Sequence, residues 1–219
     1  MFMNYWWQLS ILVIFSYFIG NFCTAIAISN KFIHKDIREL GSKNPGTTNM
    51  TRVFGLKYGV MTLCLDFFKG FVCSLVGKMI FTSIGGAEIG MFAGYLAGFA
   101  VILGHIYPIL LRFKGGKGFA TGIGVFMVVN PGFTLISLIV GVILLLIVDK
   151  MSVFALTFFA AEVIYHLIVY TKDYWWISLF ACLYFVLATI AHRSNITRLV
   201  HGEEKPLGLI GILKNEKKN

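Results

Sequence analysis

The stretch GHIYPILLRFKGGKGFATG, Gly104 to Gly122, joins two apolar segments through a loop that is rich in cations and glycine. The chain around it has 219 residues, of which 58% are hydrophobic and 13% are charged, whereas a soluble domain has about 25% charged residues. Several uninterrupted apolar runs reach the ~20 residues that cross a bilayer as a helix. The sequence therefore predicts an integral membrane protein, and the loop is expected to lie at a membrane surface.

Seven hydrophobic segments predict an all-α, polytopic membrane protein with about seven transmembrane helices in a single domain, residues 1–219. The segments cover residues 6–28, 56–81, 87–111, 118–129, 133–148, 152–170 and 175–191. The fourth is too short to cross a bilayer alone, so we expect a tilted or partly embedded helix there. Asn130-Pro131-Gly132 follows it and indicates a turn. The first segment has no small-residue cleavage site after it, so we interpret it as a retained helix.

The distribution of Lys and Arg predicts the orientation, because cytoplasmic loops carry an excess of cations. With seven helices and the N-terminus outside, the cytoplasmic side holds nearly all the cations, including those of the C-terminal tail, and the outside loops hold almost nothing but Lys172. Joining residues 118–148 into one bent helix gives six crossings and places the basic tail outside, so we reject it. The tryptophan pairs 6–7 and 175–176 then fall at the outer membrane face, where an aromatic belt is expected.

Three polar segments, 38–55, 104–122 and 192–208, reach the same cytoplasmic side in this topology, which predicts a site built from distant loops. In the first, glycines allow main-chain N–H groups to approach an anion, Ser42 supplies a hydroxyl and Arg52 supplies a fork of donors for a phosphate. The alternative interpretation is a turn followed by an N-cap at Thr48 or Asn49.

The second polar segment combines the cations Lys114 and Lys117 with three glycines. It lacks the P-loop spacing, so nucleotide binding is unsupported. A helix starting near Phe119 would direct its N-terminal dipole at a bound anion. The alternative is a juxtamembrane stop signal with lysines at lipid headgroups. His105 lies near this loop and is a further candidate, although a packed core histidine is the alternative.

In the third segment, His192 and Asn195 are three residues apart and share a helix face, and Arg198 and Glu204 follow. The alternative is an amphipathic tail at the membrane interface. Ionisable residues within the apolar segments indicate function or pairing. We interpret Asp66 and Lys69 as a structural ion pair that faces the bundle interior, and we give Glu162 and His166 a structural role.

The three segments resemble the motifs of the bacterial acyl-phosphate:glycerol-3-phosphate acyltransferase family, PlsY. They read GSKNPGTTNMTR from Gly41, GHIYPILLRFKGGKGFAT from Gly104 and HRSNITRLVHGEE from His192, and DFFKG from Asp66 also fits. The resemblance runs in order and spacing from about Arg38 to Glu204. Lys43, Thr47 and Tyr107 depart from the glycine, alanine and phenylalanine of the family pattern, and none of the three departures removes a reactive group.

The resemblance implies transfer of a fatty acyl group from acyl phosphate to the 1-hydroxyl of sn-glycerol 3-phosphate, which gives lysophosphatidic acid and inorganic phosphate. It implies a multi-pass protein of the bacterial plasma membrane with its site on the cytoplasmic face, where a lipid substrate and a water-soluble substrate meet. We expect no cofactor, no metal and no nucleic-acid partner. A small membrane transporter of an anionic metabolite is the competing interpretation, since it would also explain the intramembrane charges.

The candidate site residues follow from the motifs. The residues expected to orient the reacting groups are Ser42, His192 and Asn195. The residues expected to bind substrate or phosphate are Gly41, Asn44, Gly46, Asn49, Arg52, His105, Lys114, Gly115, Gly116, Lys117, Gly118 and Arg198. The residues expected to support the site are Asp66, Lys69 and Glu204.

No histidine has an aspartate five positions on, so the histidine–aspartate mechanism of the acyl-CoA-dependent enzymes is unsupported. We therefore expect positioning and charge stabilisation to carry the reaction, with a phosphate oxygen of the substrate taking the proton. A covalent acyl-serine at Ser42 is the alternative.

Overall fold

The computed structural model describes residues 2–170 and 174–208, and the all-α class is confirmed, since these residues form helices and no strand. Short 3-10 turns occupy Phe2–Tyr5, Ile37–Glu39 and Ile109–Leu111. The α-helices are α1 Trp6–Asn21, α2 Thr24–Ile33, α3 Thr47–Phe54, α4 Leu56–Ile106, α5 Phe119–Val129, α6 Pro131–Val148, α7 Met151–Val169, α8 Trp175–Ala191 and α9 Arg193–Val200. Lys172 and the tail residues Lys214, Lys217 and Lys218, which enter the orientation argument, lie outside the described residues.

All seven predicted segments are helical, but the first is not one helix. It divides at Phe22, whose backbone is extended. The Asn21 side chain stabilises this break, because its Nδ2 donates to Tyr17 O at 2.7 Å and its Oδ1 accepts from Leu110 N–H at 3.3 Å. Helix α2 begins two residues after this break and leads the chain toward the first polar segment.

Helix α4 is a hairpin of two arms, residues 56–85 and 87–106, which correspond to the second and third predicted segments. The bend lies at Gly86, whose φ of 86° and ψ of 174° are not helical. The arms pack against each other, and the Ser74 Oγ donates to Gly94 O across them at 3.0 Å.

The short helix α5 and the helix α6 form a second hairpin. Helix α5 has 11 residues and is therefore about 16 Å long, roughly half the thickness of a bilayer core. The residues before α5 and those after α6 line the same cavity, so the chain enters the bundle in α5 and returns in α6. The turn predicted at 130–132 is only partly correct. Asn130 breaks the helix, whereas Pro131 and Gly132 begin α6, because proline is accepted at the first helical position.

By length and composition, four helical segments in the described part of the chain are suited to cross a membrane, or five if the bent pair α8–α9 counts as one. One of them is the 56-residue segment Leu56–Leu111. Because this segment turns back at Gly86, it consists of two arms rather than one continuous helix.

The buried residues Glu162 and His166 have polar partners within the bundle. Glu162 accepts hydrogen bonds from Thr134 Oγ1 at 3.2 Å and Ser137 Oγ at 3.3 Å, and Asn130 Nδ2 lies 3.4 Å away. The His166 Nε2 lies 2.7 Å from the Tyr95 hydroxyl. These contacts agree with a structural role for Glu162 and His166.

Glycines allow main chains to touch where α5 crosses the first arm of α4. A Cβ at Gly70 would collide with Thr121 O, and a Cβ at Gly124 would collide with Phe67 O. Small residues at such crossings are typical of membrane helices, whose association depends on close packing. The two glycines therefore determine how α5 seats in the bundle.

We expect Gly124→Ala to lower the free energy of unfolding by at least about 2 kcal/mol, because the carbonyl that its Cβ meets is main chain and cannot rotate away. The control is Gly132→Ala, where an added Cβ has no neighbour within 4 Å. This control should leave stability unchanged or slightly higher. Thermal unfolding of the purified protein in detergent measures both, and equal stability of the two variants would contradict the packing argument.

Candidate functional site

The three polar segments meet at one end of the bundle around a cavity of about 350 Å³. The sequence-predicted residues that line it are Gly41, Ser42, Asn44, Gly46, Asn49, Arg52, Asp66, His105, Lys117, Gly118, His192, Asn195, Arg198 and Glu204. Residues that are distant in the chain thus share one chamber, as the topology argument predicts. Lys69, Lys114, Gly115 and Gly116 are not among the lining residues.

The loop before α3 is shaped by Asn49, which is buried. Its Nδ2 donates to Leu40 O at 3.0 Å and its Oδ1 accepts from Ser42 N–H at 2.9 Å. Gly41 has a left-handed φ of 58°, and a Cβ there would collide with the Asn49 side chain. Asn49 also lines the cavity, but its amide group holds the loop that presents Ser42, and its role as a phosphate ligand stays a prediction.

Three helices begin at the cavity. Their first two residues line it, namely 47–48 of α3, 119–120 of α5 and 151–152 of α7. No side chain caps any of these N-termini, so their positive dipole ends and N–H groups at the cavity favour an anion there. The sequence indicated only the N-terminus of α5, which begins at Phe119 as expected.

A chain of hydrogen bonds connects the second and third polar segments. The Lys117 Nζ donates to Asn195 Oδ1, and the Asn195 Nδ2 donates to Glu204 Oε1 at 2.5 Å. Glu204 also accepts from Arg198 Nε at 2.7 Å and from Ser152 Oγ at 3.1 Å. The carboxylate thereby aligns the polar side chains of α9 with the N-terminus of α7.

Burial and neighbouring charge alter the proton affinities in this network. Burial lowers the pKa of Lys117 to about 8, and the Glu204 carboxylate opposes that shift. Burial alone raises the pKa of Glu204, but hydrogen bonds from Asn195, Arg198 and Ser152 outweigh it and hold the pKa below its usual value. The site near neutral pH therefore contains charged Lys117 and charged Glu204.

Lys114, Gly115 and Gly116, which the sequence predicts to cradle a phosphate, do not line the cavity. Lys114 is exposed away from the cavity. The Gly115 N–H donates to Ile106 O at 3.2 Å and the Gly116 N–H donates to His105 O at 3.0 Å, so neither N–H is available to an anion. A Cβ at Gly115 would collide with His105 O and one at Gly116 would collide with the His105 ring, so close packing explains both glycines.

The inner wall of the cavity contains a buried charged group. The Lys69 Nζ lies 2.8 Å from Asp66 Oδ1 and 2.7 Å from His105 Nδ1. The Thr24 Oγ1 donates to the same Asp66 oxygen at 2.8 Å. These contacts fix the His105 ring at the cavity wall, with Lys69 behind it.

His192 has one ring nitrogen available to a substrate. Its Nδ1 lies 2.8 Å from Ala188 O, and only a protonated nitrogen can donate to a carbonyl, so the Nε2 of the neutral ring is an acceptor. His192 lines the cavity and can therefore accept a hydrogen bond from a substrate hydroxyl.

Several lining residues were not identified from the sequence. These are Thr47, Thr48, Leu63, Phe119, Ala120, Met151, Ser152, Ala155 and Lys205. Ser152 had a usable signal, because it follows Asp149 and Lys150 in a polar break that the charge distribution assigns to the cytoplasmic side. The apolar members carried no such signal.

The chain matches the family model described as glycerol-3-phosphate acyltransferase over residues 10–202. It is 42% identical over 206 residues to a glycerol-3-phosphate acyltransferase of Finegoldia magna, covering 94% of this chain and 99% of that protein. It is 37% identical over 195 residues to one of Staphylococcus aureus, covering 89% of this chain and 95% of that protein.

Two solved structures are similar to this fold. Both are crystal structures of PlsY (YgiH), an integral membrane glycerol 3-phosphate acyltransferase. The glycerol 3-phosphate form has a TM-score of 0.82 and 33% identity, and the lysophosphatidic acid form has a TM-score of 0.80 and 32% identity. Each match covers 94% of this chain and 98% of the other.

Lys43, which departs from the glycine of the family pattern, has a left-handed φ of 61° and is exposed outside the cavity. We expect Lys43→Gly to raise the free energy of unfolding by up to about 1 kcal/mol. The left-handed conformation costs a residue other than glycine ~1–2 kcal/mol. The greater conformational entropy of glycine in the unfolded chain cancels only part of that gain. Lys43→Ala removes the charge but keeps the strain, so it should leave stability unchanged. Thermal unfolding compares the two, and equal stabilisation by alanine would assign the effect to charge instead.

Proposed function

This chain belongs to the glycerol-3-phosphate acyltransferase family, and we propose that the acyl donor in its reaction is an acyl phosphate. The protein is a membrane enzyme that transfers a fatty acyl group to glycerol 3-phosphate. The proposal for the donor rests on the cavity, where Arg52, Lys117, Arg198 and three helix N-termini converge. Such a concentration of positive potential suits two phosphate-bearing substrates.

The cavity has a polar part and an apolar part, which suggests how the substrates lie. We assign the phosphate of glycerol 3-phosphate to the cations around Lys117 and Arg198. The acyl chain would lie along the apolar lining residues Leu63, Phe119, Met151 and Ala155. This arrangement brings the 1-hydroxyl of the acceptor and the acyl carbonyl together near Ser42 and His192.

In the proposed reaction, the 1-hydroxyl oxygen attacks the acyl carbonyl carbon, and the bond from that carbon to the phosphate oxygen breaks. Inorganic phosphate leaves and takes the hydroxyl proton on one of its oxygens, so no protein group has to change its charge. The His192 Nε2 and the Ser42 hydroxyl orient the attacking group, and the cations and helix N-termini stabilise the charge that develops on the leaving phosphate.

We further propose seven membrane-embedded helical segments, with the N-terminus outside and the cavity on the cytoplasmic face. The exposed cations around the cavity end of the bundle, among them Lys31, Lys35, Lys57 and Arg112, support this orientation through the positive-inside rule. The transporter interpretation is not needed to explain the intramembrane charges. Asp66 and Lys69 form a pair beside the cavity, and Glu162 is hydrogen bonded within the core.

The donor is tested with purified protein and labelled glycerol 3-phosphate, offered palmitoyl phosphate or palmitoyl-CoA. We expect lysophosphatidic acid from palmitoyl phosphate alone. Product from palmitoyl-CoA but not from palmitoyl phosphate would refute the proposed donor.

The same assay in sealed vesicles tests the orientation, because glycerol 3-phosphate added outside should be acylated by inside-out vesicles and not by right-side-out vesicles.

The phosphate site is tested by a matched pair of lysines from the same loop. Lys117→Met removes a cation from the cavity wall and should raise the KM for glycerol 3-phosphate at least tenfold, since a hydrogen bond to a charged group contributes ~1.5–3 kcal/mol. Lys114→Met removes an exposed cation outside the cavity and should change the KM less than twofold. Equal effects of the two substitutions would show that general surface charge attracts the substrate and that Lys117 has no specific contact with it.

A further inference from the structure

The chain after α9 has no regular secondary structure over residues 203–208, a segment that we call the strap. It begins where the Glu203 N–H donates to Arg198 O at 2.7 Å. Its middle is held from the side of α3, because the Arg52 Nη2 donates to Pro206 O at 3.1 Å. Glu204 and Lys205 of the strap line the cavity, so the strap forms one of its walls.

The far end of the strap is attached to Asp149 at the junction of α6 and α7. The Leu207 N–H donates to Asp149 O at 2.8 Å. The Gly208 N–H donates to the Asp149 carboxylate, 3.0 Å from Oδ1 and 3.2 Å from Oδ2. One residue thus holds two successive main-chain donors of a segment that lies about sixty positions further along the chain.

Asp149 also has the backbone conformation that this attachment needs. Its φ of 53° is left-handed, and its own N–H donates to Leu145 O and ends α6. Aspartate and asparagine tolerate this conformation better than other side chains. The main-chain N–H, main-chain carbonyl and carboxylate of Asp149 are therefore all engaged, and two of these three groups serve the strap.

The attachment matters because of what the strap carries. Glu204 contacts Asn195, Arg198 and Ser152 at once, and Asn195 in turn accepts from Lys117. If the end of the strap is released, Glu204 is held by those side chains, by the Arg52 contact at Pro206 and by the Glu203 N–H contact with Arg198 O. The cations of the cavity then lose the fixed carboxylate that aligns them.

We propose that Asp149 is a positioning residue for acylation of glycerol 3-phosphate. It fixes the strap, and the strap fixes Glu204, so that Arg198 and Lys117 are held where they bind the phosphate of the substrate. The proposal rests on the assignment of that phosphate to this part of the cavity. Because Asp149 touches no substrate, its effect is on the binding geometry and not on the chemical step.

Two substitutions at Asp149 separate the attachment from the helix ending. Asp149→Gly keeps the left-handed backbone and the carbonyl that Leu207 uses, but it removes the acceptor of the Gly208 N–H. Asp149→Asn keeps the conformation and the Oδ1 acceptor. Lys150→Gln is the control, since Lys150 is adjacent, carries a charge and does not line the cavity.

We expect Asp149→Gly to raise the KM for glycerol 3-phosphate about tenfold and to change kcat less than twofold. The substrate and the transition state would lose the same binding energy, so the barrier of the chemical step would not change. Asp149→Asn should stay within threefold of the unsubstituted enzyme, and Lys150→Gln should match it. Cleavage by a glutamate-specific protease after Glu203 or Glu204 should be several-fold faster in Asp149→Gly alone.

Other outcomes overturn the proposal. An unchanged KM in Asp149→Gly with unchanged proteolysis would mean that the strap stays in place without the carboxylate. A lowered melting temperature and a fall in kcat in both Asp149→Gly and Asp149→Asn would mean that Asp149 supports the fold and not the site. A faster cleavage with an unchanged KM would mean that the strap does not position the phosphate site. Lack of activity in the unsubstituted enzyme would instead count against the proposed function.

Discussion

The contact of α5 with the first arm of α4 is the constraint on which the site depends. Gly70 lies against the Thr121 carbonyl and Gly124 against the Phe67 carbonyl, with no room for a side chain at either point. Because the main chains of the two helices are in direct contact, the helices cannot slide along each other, and the position of α5 along α4 is fixed. That register sets the depth at which α5 begins, and with it the places of Lys117 and of the helix N-terminus at the cavity.

A half-length helix inside a membrane bundle has a second end that must also be satisfied, because exposed carbonyls are costly without water. The Lys78 Nζ donates to Val128 O in the last turn of α5 at 3.1 Å. Asn130 ends the helix and directs its Nδ2 toward Glu162. The C-terminus of α5 thus meets an ammonium group, which its dipole favours, while its N-terminus lies at the cavity. The position of the C-terminus of α5 therefore explains why Lys78 and Glu162 occur within the bundle.

The sequence was informative wherever the cause of structure is local. Hydropathy predicted all seven helical segments, and the distribution of cations predicted that the three polar segments would meet at one end. The sequence could not separate glycines that bind a ligand from glycines that allow close packing, since Gly115 and Gly116 of the loop pack against His105 at the end of α4. It could not identify Asn49 as a support for its own loop or Asp149 as the attachment of a distant segment, because both roles arise from tertiary contacts that leave no periodic pattern. Lys78 was missed for the same reason.

The charge balance of the cavity follows from combining these features. Asp66 is paired with Lys69, so its charge is largely compensated within the wall. The remaining cations, Arg52, Lys117, Arg198 and Lys205, outnumber the single carboxylate of Glu204. That carboxylate does not cancel the site, because it stabilises the charged form of buried Lys117 and fixes Arg198 through a short hydrogen bond. A cluster of cations alone would repel and disperse, and a fully compensated one would not attract a phosphate. One carboxylate on an attached strap avoids both outcomes, since it aligns the cations and leaves an excess of positive charge for the substrate.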